Sequence, residues 1–415
     1  MKKSIAFTYA FIAAFGALVV GLNMGGISGA IDIIEAEFSL DALTKGFVTG
    51  ALMVGCLFGA LLGGRLSDKY GRKLMLIISA VLLGLSAGGC GFLSHSASAL
   101  VIYRFIGGLG VGVLSAVIPT YITEISPAEL RGTFVSFYQL FVVVGILVAY
   151  CANYFLAGTA LNWHLMLGLP LAFAILDIVL LLFLPESPIW LEQKGQKCER
   201  EKVAFKELFK GRMGYVVFLG SMLAFFQQIT GINVVVNYAP SILGKLGIAG
   251  SDPLLQTVFI GVANLIFTVI ALWLVDKFGR KTLLVCGCFG CTASLAYLTY
   301  AYSIADPSSI GVLAAILAYI GFFALSLSPL MFVVTSEMYP SRVRGTAMAF
   351  STGISWACAF LVVQFYPWME STLGTNVAFG IFAALCLAAG LFIQFLIPET
   401  KGKSLESIEK ELKLR

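Results

Sequence analysis

Among the carboxamides that interrupt long apolar runs in this chain are Gln139, Gln227, Gln228, Asn233 and Asn264. A carboxamide carries an acceptor oxygen and two donor hydrogens on one group, with no charge to desolvate. Within a bilayer such groups are costly unless they face a cavity or another helix. A set of them suits a neutral solute that presents several hydroxyls, each able to donate and accept. For any single amide the competing account is a hydrogen bond between helices; the set of five favours a site. Gln228 and Asn233 read as five apart along one helix, with Gly231 between them permitting a local break.

Covalent and metal chemistry find no matching residues. The histidines are His95 and His164, each at the edge of an apolar run, and no nucleophile–base arrangement or Gly-x-x-x-x-Gly-Lys phosphate loop can be read. Cys286-x-Cys288-x-x-Cys291 spreads its first two thiols over different helix faces with no histidine near, so these cysteines read as packing residues. The expectation is a protein that is not an enzyme and that uses no metal and no cofactor.

A second group of residues is charged and repeated. Asp68-Lys69-Tyr70-Gly71-Arg72-Lys73 recurs from Asp276 as Asp276-Lys277-Phe278-Gly279-Arg280-Lys281. Glu124-x-x-Pro127-x-x-x-Arg131-Gly132 recurs from Glu337 with Arg344, and Pro185-Glu186-Ser187 recurs as Pro398-Glu399-Thr400. Asp and Arg at helix ends can pair with each other or with helix termini. Such pairs can hold one side of a protein shut in one state and break in another, so Asp68, Arg72, Glu124, Arg131, Glu186, Asp276, Arg280, Glu337, Arg344 and Glu399 are candidate gating residues. The plainer account is that they only fix topology; the duplication favours gating.

The elements that must carry these groups are membrane helices. Only 12% of the 415 residues are charged and 59% are hydrophobic, against roughly 25% charged in a soluble domain. Apolar runs long enough to span occur at about 5–31, 46–64, 74–93, 98–122, 133–156 and 164–184, then at 215–243, 254–275, 282–303, 309–335, 345–367 and 376–397. The first is too long for a signal peptide core and reads as a retained helix. Since backbone groups must be satisfied inside the bilayer, all twelve should be helices. The expected fold is an all-α membrane protein of two six-helix pseudo-repeats. Its parts would be an N-terminal bundle at 1–190, a cytoplasmic linker at 191–214, a C-terminal bundle at 215–400 and a tail at 401–415. Duplicated units of this kind place a site between the halves near the midplane. Lys and Arg crowd into alternate short loops, which puts both termini and the linker in the cytoplasm. The net charge of +5 lies in those loops and does not form a nucleic-acid surface.

The motifs together resemble the sugar porters of the major facilitator superfamily over nearly the whole chain. They are Arg104-Phe105-Ile106-Gly107-Gly108-Leu109-Gly110, Pro119-x-Tyr121-x-x-Glu124, Pro185-Glu186-Ser187-Pro188, Gln227-Gln228-Ile229-Thr230-Gly231-Ile232-Asn233 and Pro398-Glu399-Thr400-Lys401-Gly402. The resemblance implies a monosaccharide carrier working by alternating access, with the five amides as hexose-contacting positions and Trp356 stacking on the sugar. Phe332 stands where many members have tryptophan, Asn237 replaces a usual tyrosine, Ser355 stands where some members have an amide, and Ile189 replaces an arginine. In coupled members an aspartate sits near the arginine matching Arg104. Here that position is Asn23, which cannot titrate, so uniport is expected over proton symport. Asp177, a lone acid in span six, is the one candidate for an alternative coupling site. A sugar sensor is a competing reading that the short tail disfavours; a polyol carrier is another. The chain is expected to be a monomer in a plasma membrane, as in a bacterial inner membrane, with a sugar and the bilayer as its partners.

Overall fold

With no water in the bilayer core to satisfy backbone groups, an apolar run of twenty or more residues has the helix as its low-energy form. A computed structural model describes residues 3–127, 130–195, 208–245, 252–304, 308–340, 343–401 and 403, and every regular element among them is helical. The first group is α1 (Lys3–Phe38), α2 (Ala42–Tyr70), α3 (Arg72–Gly88, continued by a π-helical turn Gly89–Leu93), α4 (Ala97–Ile125), α5 (Arg131–Leu156), α6 (Asn162–Gly168) and α7 (Pro170–Leu182). A short α8 (Pro188–Gly195) follows. The second group is α9 (Gly211–Ile229), α10 (Ile232–Gly244), α11 (Pro253–Phe278), α12 (Arg280–Ala301), α13 (Ser309–Leu325), α14 (Leu327–Met338), α15 (Arg344–Leu373) and α16 (Thr375–Leu396).

Twelve stretches are long and apolar enough to cross a membrane. Three of them are broken helices: α6 with α7, α9 with α10, and α13 with α14. The first span runs past its expected end, so Asp32, Glu35 and Glu37 lie on helix rather than in a loop. The turn that follows is short because Asp41 caps α2 at once, its side chain accepting from the Thr44 backbone N–H at 3.3 Å.

The described residues form two compact units. Those within 1–199, 236–245 and 249–265 make up one, and those within 200–235 and 266–415 make up the other. In the first unit α2 packs along α4, α1 along α5, and α7 against α1 and α3. In the second, α12 packs on α13 and α16, and α9 on α15 and α14.

The broken helices have identifiable causes. Gly231 sits at φ +91°, a conformation that L side chains rarely adopt, and separates α9 from α10. Pro240 inside α10 has no N–H for the Val236 carbonyl four residues back, and Tyr238 leaves helical geometry at φ −122°, ψ 15°. The orphaned carbonyl is satisfied from α5, where the Tyr150 hydroxyl donates to it at 2.8 Å. Ser326 at φ −129°, ψ −86° divides α13 from α14.

Candidate functional site

Three sets gather most of the singled-out residues; the first two each lie within one unit, and the third has a member in each. The first is an amide cluster. The Gly231 break turns the chain so that Asn233 Nδ2 donates to Gln228 Oε1 at 2.6 Å. On an unbroken helix, residues five apart point about 140° away from each other, so it is the local break expected at Gly231 that pairs these two. Gln228 Nε2 then donates to Ser355 Oγ on α15 at 2.8 Å and to Gln227 Oε1 at 3.3 Å. Gln227 is spoken for on its other end, donating to the Leu327 carbonyl at 3.1 Å at the start of α14. Trp356 is half-buried beside Ser355 in sequence on α15, and Phe332 on α14 is 44% exposed. Gln139 on α5 and Asn264 on α11 are half-buried in the other unit. Ser355 is the member that the sequence undervalued. A lone serine among small residues carries no signal of its own; its place opposite Gln228 comes from the packing of α15 on α9.

The second constellation holds Asn23 and Arg104. They line one cavity of about 10 Å³, with Ser86 and Cys90 also on its wall, which is room for about one water. Arg104 is 3% exposed, and its Nη2 donates to the Thr49 carbonyl at 3.0 Å. Its Nε has no acceptor among the described residues. Asn23 donates from Nδ2 to the Val19 carbonyl at 2.9 Å. A buried guanidinium is therefore faced by an amide rather than by a carboxylate.

The third is a pair of charged clasps. In the first unit Arg72, at the start of α3, is 2% exposed. It forks onto Glu124 through Nε at 3.1 Å and Nη2 at 3.0 Å, pairs with Asp68 at 2.8 Å, and donates from Nη1 to the Ser67 carbonyl at 2.8 Å. Glu186 caps α3, accepting from the backbone N–H of Arg72 at 2.9 Å and of Lys73 at 3.1 Å, where the helix dipole favours a negative charge. Trp190 closes the group with Nε1 donating to the Asp68 carbonyl at 2.9 Å. The second unit repeats the plan: Glu399 caps α12, accepting from Arg280 N at 3.0 Å and Lys281 N at 3.1 Å. Burial alone would raise the Glu399 carboxyl, yet the backbone N–H groups of Lys401, Arg280, Lys281 and Thr400 outweigh it and hold the group below the usual carboxylate range. The ion pair is looser here, with Arg280 Nη2 at 3.5 Å from Glu337, and Arg344 turns instead to the Tyr339 carbonyl at 3.1 Å. The side chains of Arg131 and Asp276 lie outside the described residues.

Each clasp needs a glycine at its corner. Gly71 sits at φ +106° and Gly279 at φ +86°, and a Cβ on Gly71 would run into the Glu186 carboxylate. Gly71→Ala is expected to cost about 1–3 kcal/mol in backbone strain, before any displacement of Glu186. Thermal unfolding in detergent checks this, and an unchanged midpoint would mean that the corner yields freely.

One charged contact went unforeseen. On the side opposite the clasps, Lys45 of α2 pairs with Asp32 at 2.8 Å and Glu35 at 2.7 Å, and Ser241 of α10 donates to Asp32 at 2.6 Å. The sequence showed an acidic stretch with one lysine; the pairing of Lys45 with Asp32 and Glu35, and the Ser241 bond from 209 residues away, come from the fold.

Comparison with known proteins decides the family. The family described as "Sugar (and other) transporter" matches residues 9–208 and 195–412. This chain belongs to the sugar transporter family. It is 33% identical to the D-xylose-proton symporter of Escherichia coli (strain K12), covering 98% of this chain and 96% of that protein. It is 34% identical to a glucose transporter of Staphylococcus epidermidis, covering 97% and 96%. The structure of the xylose transporter from E. coli in an inward-open conformation matches with a TM-score of 0.85 at 32% identity, covering 98% and 99%. The sugar transporter described here is thus a multi-pass membrane protein of the major facilitator fold that carries a monosaccharide.

Proposed function

We propose that this sugar transporter is a facilitative uniporter working by alternating access, and that it is not an enzyme. The observation that carries the reading is Asn23: the position facing Arg104 holds an amide, which cannot load and release a proton. Gln228, Asn233 and Gln227, with Trp356 and Phe332 from the same unit and Gln139 and Asn264 from the other, are proposed to contact the sugar. The hydrogen bonds within the amide cluster are ones that sugar hydroxyls can replace, since each amide both donates and accepts. The two six-helix halves, 1–190 and 215–400, are proposed as the bodies that move. Asp68, Arg72, Glu124, Arg131 and Glu186, with Asp276, Arg280, Glu337, Arg344 and Glu399, would secure the side bearing the basic loops. That side is proposed to be cytoplasmic, with both termini on it, in a bacterial inner membrane and with the monomer as the working unit.

Proton symport is the competing reading, carried by the printed function of the E. coli relative. Reconstituted protein is expected to equilibrate at least one of labelled glucose, xylose, galactose and fructose, to the same level with or without an imposed proton gradient. Asn23→Asp is expected to make uptake respond to the gradient, because it places a titratable group beside Arg104. Accumulation driven by the gradient in the unaltered protein would overturn uniport. No movement of any of the four sugars, with binding retained, would favour a sensor.

A further inference from the structure

We propose that Asp177 is a proton-binding site inside the helical bundle, protonated while α7 lies packed on α1 and α3, and that proton loss there slows the transport cycle. Asp177 is fully buried in α7, and both of its carboxyl oxygens lack a hydrogen-bond partner among the described residues. Its surroundings are apolar. A Cβ built on Gly16 of α1 would lie 3.1 Å from Asp177 Oδ2, and the same point is reached by Ile118 and Leu114 of α4. Gly16 therefore leaves space that only this carboxyl occupies. The titratable and charged groups on the elements around it are Tyr9, Asp32, Glu35 and Glu37 on α1, Arg72, Lys73 and Cys90 on α3, and Tyr103, Arg104, Tyr121 and Glu124 on α4. Among the described residues, none of these hydrogen-bonds to Asp177.

An ionised carboxylate in such a place has neither a counter-charge nor a donor, a cost that groups avoid by staying neutral. The neutral acid is the form compatible with the packed helices. Ionisation becomes favourable only when α7 separates from α1 and α3 enough to admit water or a cation. The proton thus acts as a ligand of the packed arrangement, stabilising it at low pH and losing hold as pH rises. Asp177 lies eight residues before Pro185, about 12 Å along a helix, on the side of the basic loops. Loading and release from that one side change the rate without carrying a proton across, so this inference rests on the transport reading and is compatible with uniport. A quiet core residue would share the burial but would leave no pH signature in transport.

The test uses full-length protein in liposomes with equal pH on both sides, measuring sugar exchange in counterflow from about pH 5 to about pH 9. Exchange is expected to fall by about tenfold toward the alkaline end in the unaltered protein and to stay level in Asp177→Asn. An unaltered protein with a flat profile, or a variant that keeps the full pH dependence, overturns the proposal. Infrared spectroscopy gives a readout independent of transport and of the folding of the asparagine variant. A protonated-carboxyl band is expected at neutral pH in the unaltered protein, shifted in Asp177→Glu. Its absence at neutral pH overturns the proposal. If no sugar moves at all, the transport reading fails, and the infrared band still decides Asp177.

Discussion

Arg72→Ala is expected to be far more damaging than Arg280→Ala, although the two arginines hold matching places in the repeated motif. Arg72 is nearly inaccessible and serves Glu124 with two hydrogen bonds, Asp68 with an ion pair and Ser67 with a bond to its carbonyl. The Glu124 side chain is only 11% exposed, so removing the guanidinium strands a carboxylate in a place with little water. Breaking a buried pair by deleting one partner costs about 3–5 kcal/mol. Arg280 reaches Glu337 only at 3.5 Å, and both side chains are more open to solvent. Pairs of that kind are worth about 0.2–1 kcal/mol. Thermal unfolding in detergent, with sugar exchange measured alongside, separates the two variants. Equal losses would mean that the clasps act only as sequence-matched topology signals. Arg72→Lys tests the fork itself: the substitution keeps the charge but cannot make the bidentate contact, and is expected to recover only part of the loss.

Gln228→Ala is expected to weaken sugar binding by about tenfold to a hundredfold, which corresponds to about 1.4–2.8 kcal/mol. Gln228 is the hub of its cluster, accepting from Asn233 and donating to Ser355 and Gln227. Truncating it takes one hydrogen bond from each of those three partners and removes contacts that a sugar hydroxyl can exchange into. A site built to hydrogen-bond hydroxyls loses most when such a group is taken away. Gln227→Ala is expected to behave differently, since Gln227 also supports the Leu327 carbonyl at the α13–α14 break; its loss should appear first as lower thermal stability. Titration calorimetry with the transported sugar, compared with unfolding midpoints, distinguishes binding from support. If Gln228→Ala lowers stability while affinity holds, the cluster is an interhelical bond network and not the sugar site.

The twelve spans, the duplicated motifs and the family were legible in the sequence because they rest on local properties. Hydropathy over twenty residues is a sum that no distant contact alters, and the repeats from Asp68 and Asp276 stand in plain order. The residue types also set the chemistry to expect, with amides for a neutral polar solute and Asn23 where a titratable group would be needed. The tertiary structure alone decided how those residues meet. Gln228 and Asn233 point apart on any continuous helix and pair only because Gly231 takes a positive φ. Ser355 joined the cluster and Lys45 joined Asp32 through helix packing that leaves no periodic trace in the chain. The two clasps read as equals in sequence, yet one is buried and forked while the other is longer and more open to solvent. That difference depends on burial and on side-chain direction, which are set by neighbours far away along the chain.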